Sequence, residues 1–166
     1  MDRPRLIVYC GLPGVGKSLA SGYTAEQLPA HRYRSDRIRK QLFPEPNYTD
    51  AETAETYETL LERARADLEA GTNVVLDATF RSRPRRDDAA AIAETTAAES
   101  LFVHVTCEEA VVEERLESRS GTVSDADYEQ YLHLREAFDP LEREHVVLDN
   151  SGSIEETYRQ LERDVL

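Results

Sequence analysis

The stretch from Gly11 to Ser18, "GLPGVGKS", follows the apolar run "RLIVYC" and precedes "LASGYTAEQL", which can form a helix. It matches G-x-x-x-x-G-K-[ST] in full. Glycines at the fixed positions let backbone amides point inward with no Cβ in the way, making an anion nest at a helix start. In such a nest Lys17 reaches the β- and γ-phosphates of a nucleotide, and the Ser18 hydroxyl ligates Mg²⁺. A glycine turn can also do no more than join a strand to a helix. Here the strand before and the helix after supply the context the motif requires. Gly11, Leu12, Pro13, Gly14, Val15, Gly16, Lys17, Ser18 and Leu19 are therefore read as the cradle for ATP and Mg²⁺. The motif leaves open whether the phosphate is transferred, lost to water or only sensed.

Outward from this loop, strands and helices alternate to the end of the chain. "HRYRS" reads as a short second strand and "DRIRKQLF" as a short helix stopped by Pro44. Thr49 and Glu52 have capping-box spacing, and Tyr57, Leu60, Leu61, Ala64 and Leu68 then share one helix face up to Gly71. "NVVLDAT" is a third strand, and Ser82 and Pro84 open an alanine-rich helix. "LFVHVTC" is a fourth strand, with a helix near "EAVVEERLESR". After the polar break "SGTVSDAD", Ser124 can cap a helix with Tyr128, Tyr131, Leu132 and Phe138 on one stripe. "HVVLDN" is the fifth strand. A last helix is capped by Ser153 and Glu156, with Ile154, Tyr158, Leu161 and Val165 inward. Five strands alternating with helices imply a three-layer α/β domain spanning residues 1–166, its parallel sheet covered on both faces.

Composition limits what the domain does. No apolar run approaches the ~18 residues of a membrane span, and "MDRPRLIVYCG" lacks a cleavable-signal pattern, so a cytoplasmic protein is expected. Cys10 and Cys107 end two separate apolar runs and read as small reduced buried residues; no Cys/His cluster has zinc spacing. The net charge is −13, and Lys17 and Lys40 are the only lysines. An acidic, lysine-poor surface suits a protein that works in molar salt, where the Debye length shrinks to ~3 Å. In ordinary salt the same charge argues against a broad nucleic-acid surface. No obligate protein partner is evident.

Three further segments bear on the fate of the phosphate. Asp36, after the second strand, falls at the sheet edge that carries the phosphate loop, where a carboxylate can take the proton of an attacking hydroxyl. It could equally cap the short helix. Asp77 follows a buried strand at the same edge and can hold a Mg²⁺-bound water or the acceptor, and Thr79 adds a hydroxyl. Arg81, Arg83, Arg85 and Arg86 form the densest basic cluster, with Arg83 and Arg86 as candidates for an anionic substrate. No aromatic platform for stacking bases is obvious beside these arginines. Arg115 and Arg119, four apart before the polar break, suit a lid over about residues 115–127 that closes on the nucleotide and excludes water. A lid favours transfer. The competing class is a nucleotide-dependent switch with slow hydrolysis, but the water-orienting glutamine and γ-phosphate-reading loop of such a switch are not evident.

"GLPGVGKS", "SDRIRKQL", "VVLDATFRSRPRR" and "RLESRSGTVSDAD", in this order, resemble the small P-loop kinases related to polynucleotide 5′-hydroxyl kinases. The resemblance runs over nearly the whole chain. It implies a P-loop kinase fold with five parallel strands, the phosphate-loop strand in the middle, and a small helical lid. It implies that Asp36 is the general base, that Arg37 or Arg39 contacts an acceptor phosphate, and that Arg119, with Arg115 second, stabilises the transferring group. Polynucleotide kinases often carry a phosphatase or ligase domain, which these residues do not show. Stand-alone members similar to this chain phosphorylate sugars, sugar nucleotides and other small hydroxyl compounds. The acceptor implied is a polynucleotide 5′-hydroxyl or a small polar metabolite such as a sugar, sugar acid or nucleoside.

Overall fold

The structure is a computed structural model that describes residues 3–120 and 125–166, with side chains for 3–116 and 129–166. In chain order the described elements are β1 (Arg5–Cys10), α1 (Lys17–Gln27), β2 (His31–Arg34), α2 (Ser35–Leu42), α3 (Asp50–Glu69) and β3 (Val74–Asp77). Then come α4 (Arg83–Thr95), β4 (Glu99–Thr106), α5 (Glu109–Ser120), α6 (Asp125–Ala137), β5 (Val146–Asp149) and α7 (Ile154–Asp164). All strand pairs are parallel, in the order β2-β3-β1-β4-β5. The expected α/β architecture holds, with the phosphate-loop strand in the centre.

The unbroken apolar run of β1 follows from that position. Successive side chains point to opposite faces, so a central parallel strand needs apolar residues on both. Leu6, Val8 and Cys10 pack into one core with Leu60, Ala64 and Leu68 of α3 and Ile92 of α4. Ile7 and Tyr9 pack into the other with Ala20 of α1, Val112 of α5 and Leu161 of α7. These five residues of β1, Leu6 to Cys10, are fully buried, and Arg5 at its start is half-buried.

Local sequence sets the helix ends. Thr49 accepts from Glu52 N, and the Glu52 side chain accepts from Thr49 N, a complete capping box. Such a cap contributes about 1 kcal/mol. Tyr57, Leu60, Leu61, Ala64 and Leu68 of α3 are all buried, as their spacing requires. Ser82 precedes α4, but its hydroxyl makes no cap bond. Asp139 serves instead, accepting from Arg83 N at 2.9 Å. Ser153 caps α7, yet Ile154, expected inward, is 53% exposed. The inner face of α7 runs through Thr157, Leu161 and Val165, because Thr157 donates to Asn150 Oδ1. Tyr131 is buried, as the stripe on α6 predicts, while Phe138 lies just past the helix end. Ser124 and the side chain of Tyr128 lie outside the described residues.

Both cysteines are free; Cys10 is buried and Cys107 half-buried. Burial pushes the Cys10 thiol up to about 12, so it is protonated at neutral pH. Among the described residues no helix is long and apolar enough to cross a membrane.

Candidate active site

The phosphate loop leaves β1 at the carboxyl end of the sheet and enters α1. Gly16 precedes the helix at φ +90°, and a Cβ there would stand 1.9 Å from Asn150 Nδ2. The amide of Asn150 is that close because it donates to Val15 O at 2.8 Å. At Gly11 a Cβ would meet Val105 O at 2.8 Å. The loop is therefore walled by β4 and β5, and a larger residue at either position would push it off its seat. Lys17 folds back over the loop, donating from Nζ to Gly11 O at 2.8 Å and Leu12 O at 3.1 Å. Leu12 and Val15 face the core, whereas Pro13, Gly14, Gly16, Lys17 and Ser18 face a crevice of about 330 Å³; Leu19 is half-buried on α1.

The opposite wall of the crevice comes from the ends of β2 and β3. Asp77 closes β3, 6% exposed, and accepts from Ser21 Oγ at 2.6 Å. Asp36, in the first turn of α2, has a side chain 71% exposed and also lines the crevice. Arg34 stands between the two acids, with Nε 3.8 Å from Asp77 Oδ2 and Nη2 3.7 Å from Asp36 Oδ2. Arg39 lines the same wall and donates from Nη2 to Thr53 Oγ1 at 3.0 Å. The buried atoms Arg34 Nε and Arg39 Nη1 have no hydrogen-bond partner. Thr79 borders the crevice, and its carbonyl accepts from Gly11 N at 3.1 Å, tying the β3–α4 turn to the phosphate loop.

Two substrate assignments on α4 do not hold. Arg86 is 2% exposed and donates to four carbonyls: Phe80 O at 2.7 Å, Arg81 O at 3.2 Å, Pro140 O at 3.2 Å and Asp139 O at 2.6 Å. Its guanidinium also lies 4.8 Å from the centre of the Phe138 ring. It is a structural strut: four of its five N–H groups go to these carbonyls, and the residue is not part of the crevice lining. Arg83 is exposed and pairs with Glu142 at 3.1 Å, along a surface shared with Asp87 and Arg143 rather than in the crevice. Arg37 is likewise exposed and not part of the crevice lining. Its backbone N–H donates to Asp36 Oδ1 at 2.9 Å.

Arg115 lies against the back of the phosphate loop. It donates from Nη2 to Asn150 O at 2.6 Å, and from Nη1 to Val15 O at 3.3 Å and Cys107 Sγ at 3.4 Å. The side chain of Arg119, and the part of the expected lid from 117 to 127, lie outside the described side chains.

Sequence reasoning missed Arg34, Tyr48, Ser21, Gln130 and Leu134. Arg34 had a signal, as a cation ending the strand just before Asp36. Tyr48 lies between a Pro-rich loop and a helix cap, and its ring supplies the aromatic surface that seemed absent beside the arginines: Arg39 Cζ lies 5.0 Å from its centroid. Gln130 and Leu134, four apart on α6, bring a third element to the crevice.

Comparison with known proteins gives the same architecture. The family described as AAA domain matches residues 6–141. An uncharacterized protein of Mycobacterium tuberculosis is 31% identical over 139 residues, 75% of this chain, as is one of Mycobacterium bovis. The chain spans only 28% of the length of these curated relatives. The APS kinase of Mycobacterium tuberculosis, solved with AMPPNP and APS, superposes with a TM-score of 0.77 at 18% identity, covering 98% of each chain. A gluconokinase from Sinorhizobium meliloti 1021 gives 0.69 at 24% identity, over 98% of this chain and 94% of that one. A sugar kinase from Janibacter sp. HTCC2649 gives 0.70 at 20%, over 96% and 93%. At these identities the likeness is one of fold. With a family match running from the central strand to beyond α6, the chain belongs to the AAA domain family and has the P-loop fold of kinases.

Proposed function

We propose that the chain is an ATP-dependent phosphotransferase that moves the γ-phosphate to a hydroxyl on an acceptor bearing its own anionic group. One observation carries the reading. The phosphate loop, the exposed carboxylate of Asp36, and two arginines with buried unpartnered N–H atoms share a single crevice. A buried donor left without a partner costs about 1–3 kcal/mol, and an anion accepting from Arg34 and Arg39 would remove that cost.

In this reading the nucleotide phosphates lie in the nest from Gly11 to Ser18, and Lys17 exchanges its two carbonyl partners for phosphate oxygens. Asp36 accepts the proton of the acceptor hydroxyl as its oxygen bonds to the γ-phosphorus. The bond from that phosphorus to the bridging oxygen breaks, and ADP leaves. Ser18 and Asp77, hard oxygen donors on the crevice wall, are the residues that would hold Mg²⁺. Bound there, Mg²⁺ would supply positive charge against the negative charge of the phosphate being transferred. Arg119 is assigned to the transferring phosphoryl group and Arg115 to bracing the loop. Such an enzyme works in the cytoplasm, where ATP is supplied.

The order of motifs and the place of Arg39, three residues after the base, support a polynucleotide 5′-hydroxyl as acceptor. A small basic mouth that grips one or two phosphates suffices for an end, even on an acidic body. A small polar metabolite (sugar, sugar acid or nucleoside) is the second reading, drawing on the names of the gluconokinase and sugar kinase with the same fold. The test is transfer of labelled γ-phosphate in molar KCl to 5′-hydroxyl DNA and RNA oligonucleotides beside a panel of nucleosides, sugars and sugar acids. Label on oligonucleotides supports the first acceptor, and label confined to one small alcohol selects the second. ATP turnover independent of any added hydroxyl compound would return the chain to the hydrolytic switch.

A further inference from the structure

Tyr48 combines three features that seldom coincide. The residue lines the candidate-site crevice, it is 68% exposed, and its backbone is left-handed at φ +56°. A bulky residue other than glycine rarely adopts that conformation, and it persists only where its surroundings enforce it. Here the enforcement is visible. The carboxylate of Glu52, itself buried, accepts from Asn47 N at 3.0 and 2.8 Å with its two oxygens, and from Thr49 N at 3.3 Å. Both neighbours of Tyr48 are thereby pinned to the first turn of α3.

The ring gains little for the fold. It is the most exposed of the large apolar side chains among the described residues. Its recorded ring partner is the Arg39 guanidinium, 5.0 Å from the centroid, and that arginine keeps a buried N–H without a partner. A flat π-face beside an unsatisfied cation, a few residues from the proposed base, suits a ligand that is flat at one point and anionic at the next. Gln130 and Leu134 of α6 border the same crevice.

We propose that Tyr48 is a specificity-determining residue, a stacking platform for a nucleobase of the acceptor, and that the Glu52 clamp holds it in place. The acceptor is thus a nucleobase-bearing phosphate compound, whether a free nucleotide or a strand end. The proposal rests on the phosphotransferase reading for the word acceptor, though base binding can be measured without transfer.

The test pairs two 5′-hydroxyl oligonucleotides that differ only in carrying adenine or an abasic tetrahydrofuran unit at the 5′ position. Adenosine 3′-monophosphate serves as the free-nucleotide arm. Calorimetric titration without ATP is run on wild type, Tyr48→Ala and Tyr48→Phe, each checked for an unchanged melting temperature. Wild type should prefer the adenine ligand by about tenfold or more. Tyr48→Phe should keep the preference and Tyr48→Ala should lose it. In transfer assays the kcat/KM ratio between the two oligonucleotides should collapse in the same way. Adenosine 3′-monophosphate binding as tightly as the oligonucleotide assigns the platform to single nucleotides; much weaker binding assigns it to strand ends. Equal binding of the adenine and abasic ligands by wild type overturns the proposal. So does a preference that survives Tyr48→Ala, or a loss that falls on ATP rather than on the acceptor. Tyr48-dependent base binding with no transfer to any compound would leave the platform standing and remove the phosphotransferase reading.

Discussion

Replacing Arg86 with methionine separates a structural arginine from a substrate-binding one. The change keeps most of the stem's volume but removes every donor, leaving the carbonyls of Phe80, Arg81, Asp139 and Pro140 without their partner. Hydrogen bonds from a charged group are worth about 1.5–3 kcal/mol each. Against four of them stands the several kcal/mol that burying the guanidinium costs, so the net destabilisation is about 3–5 kcal/mol. For a chain of this length that is a fall of about 10 °C in Tm. Arg83→Ala is the matched control. Both partners of its ion pair with Glu142 are 66% exposed, and such pairs contribute about 0–1 kcal/mol. Urea unfolding followed by circular dichroism, at one fixed KCl concentration, gives both values. If Arg86→Met unfolds within 1 kcal/mol of wild type and instead raises the acceptor KM about tenfold, the strut assignment is wrong and the arginine reaches substrate.

Asp36→Asn should cut kcat by about 10²-fold or more with ATP affinity nearly intact, and single-turnover transfer at the wild-type rate would remove Asp36 as the base. Gly16→Ala places a methyl on Asn150 Nδ2 in a left-handed backbone position, so ATP titration should show binding weakened by about tenfold or more. His104 is held down at about 4 by burial first, then by His145 and Arg86. The unfolded chain takes up that proton near pH 6.5 and the folded one does not until about pH 4. Its stability contribution is therefore complete above 6.5 and is lost as pH falls through that window. His104→Phe should flatten the loss between pH 6.5 and 4, and parallel curves for variant and wild type would refute it. The net charge of −13 predicts a melting temperature that rises toward molar KCl, and a flat or falling midpoint would give the acidity another origin.

The layered sheet was legible because its signals are local and redundant. β1 reads as a buried strand from six residues, and the phosphate motif behind it has one structural context. The Thr49–Glu52 box marks the start of α3 as plainly in sequence as in the structure. Ile154 was misplaced because periodicity alone does not fix which arc of a terminal helix meets the sheet. That arc is set by Asn150, which draws Thr157 inward while its amide reaches across to the phosphate loop.

The candidate site was legible wherever a residue type carries its chemistry with it, and illegible wherever a side chain's direction decides. Asp36 and Asp77 come together because strand order places the ends of β2 and β3 at one edge. Density of arginine, by contrast, is no guide to which arginine faces a ligand. Arg86 turns inward because Phe80, at φ +46°, leaves its carbonyl in need of a donor inside the fold. The Phe80 N–H meets the Tyr57 hydroxyl at 3.1 Å, so the strained turn is held from both sides. That turn carries Thr79, whose carbonyl anchors Gly11 N. Arg86 thus acts on the phosphate loop at one remove: it fixes Phe80, which fixes Thr79, which seats Gly11. The residue taken from sequence as a substrate contact supports the site from behind.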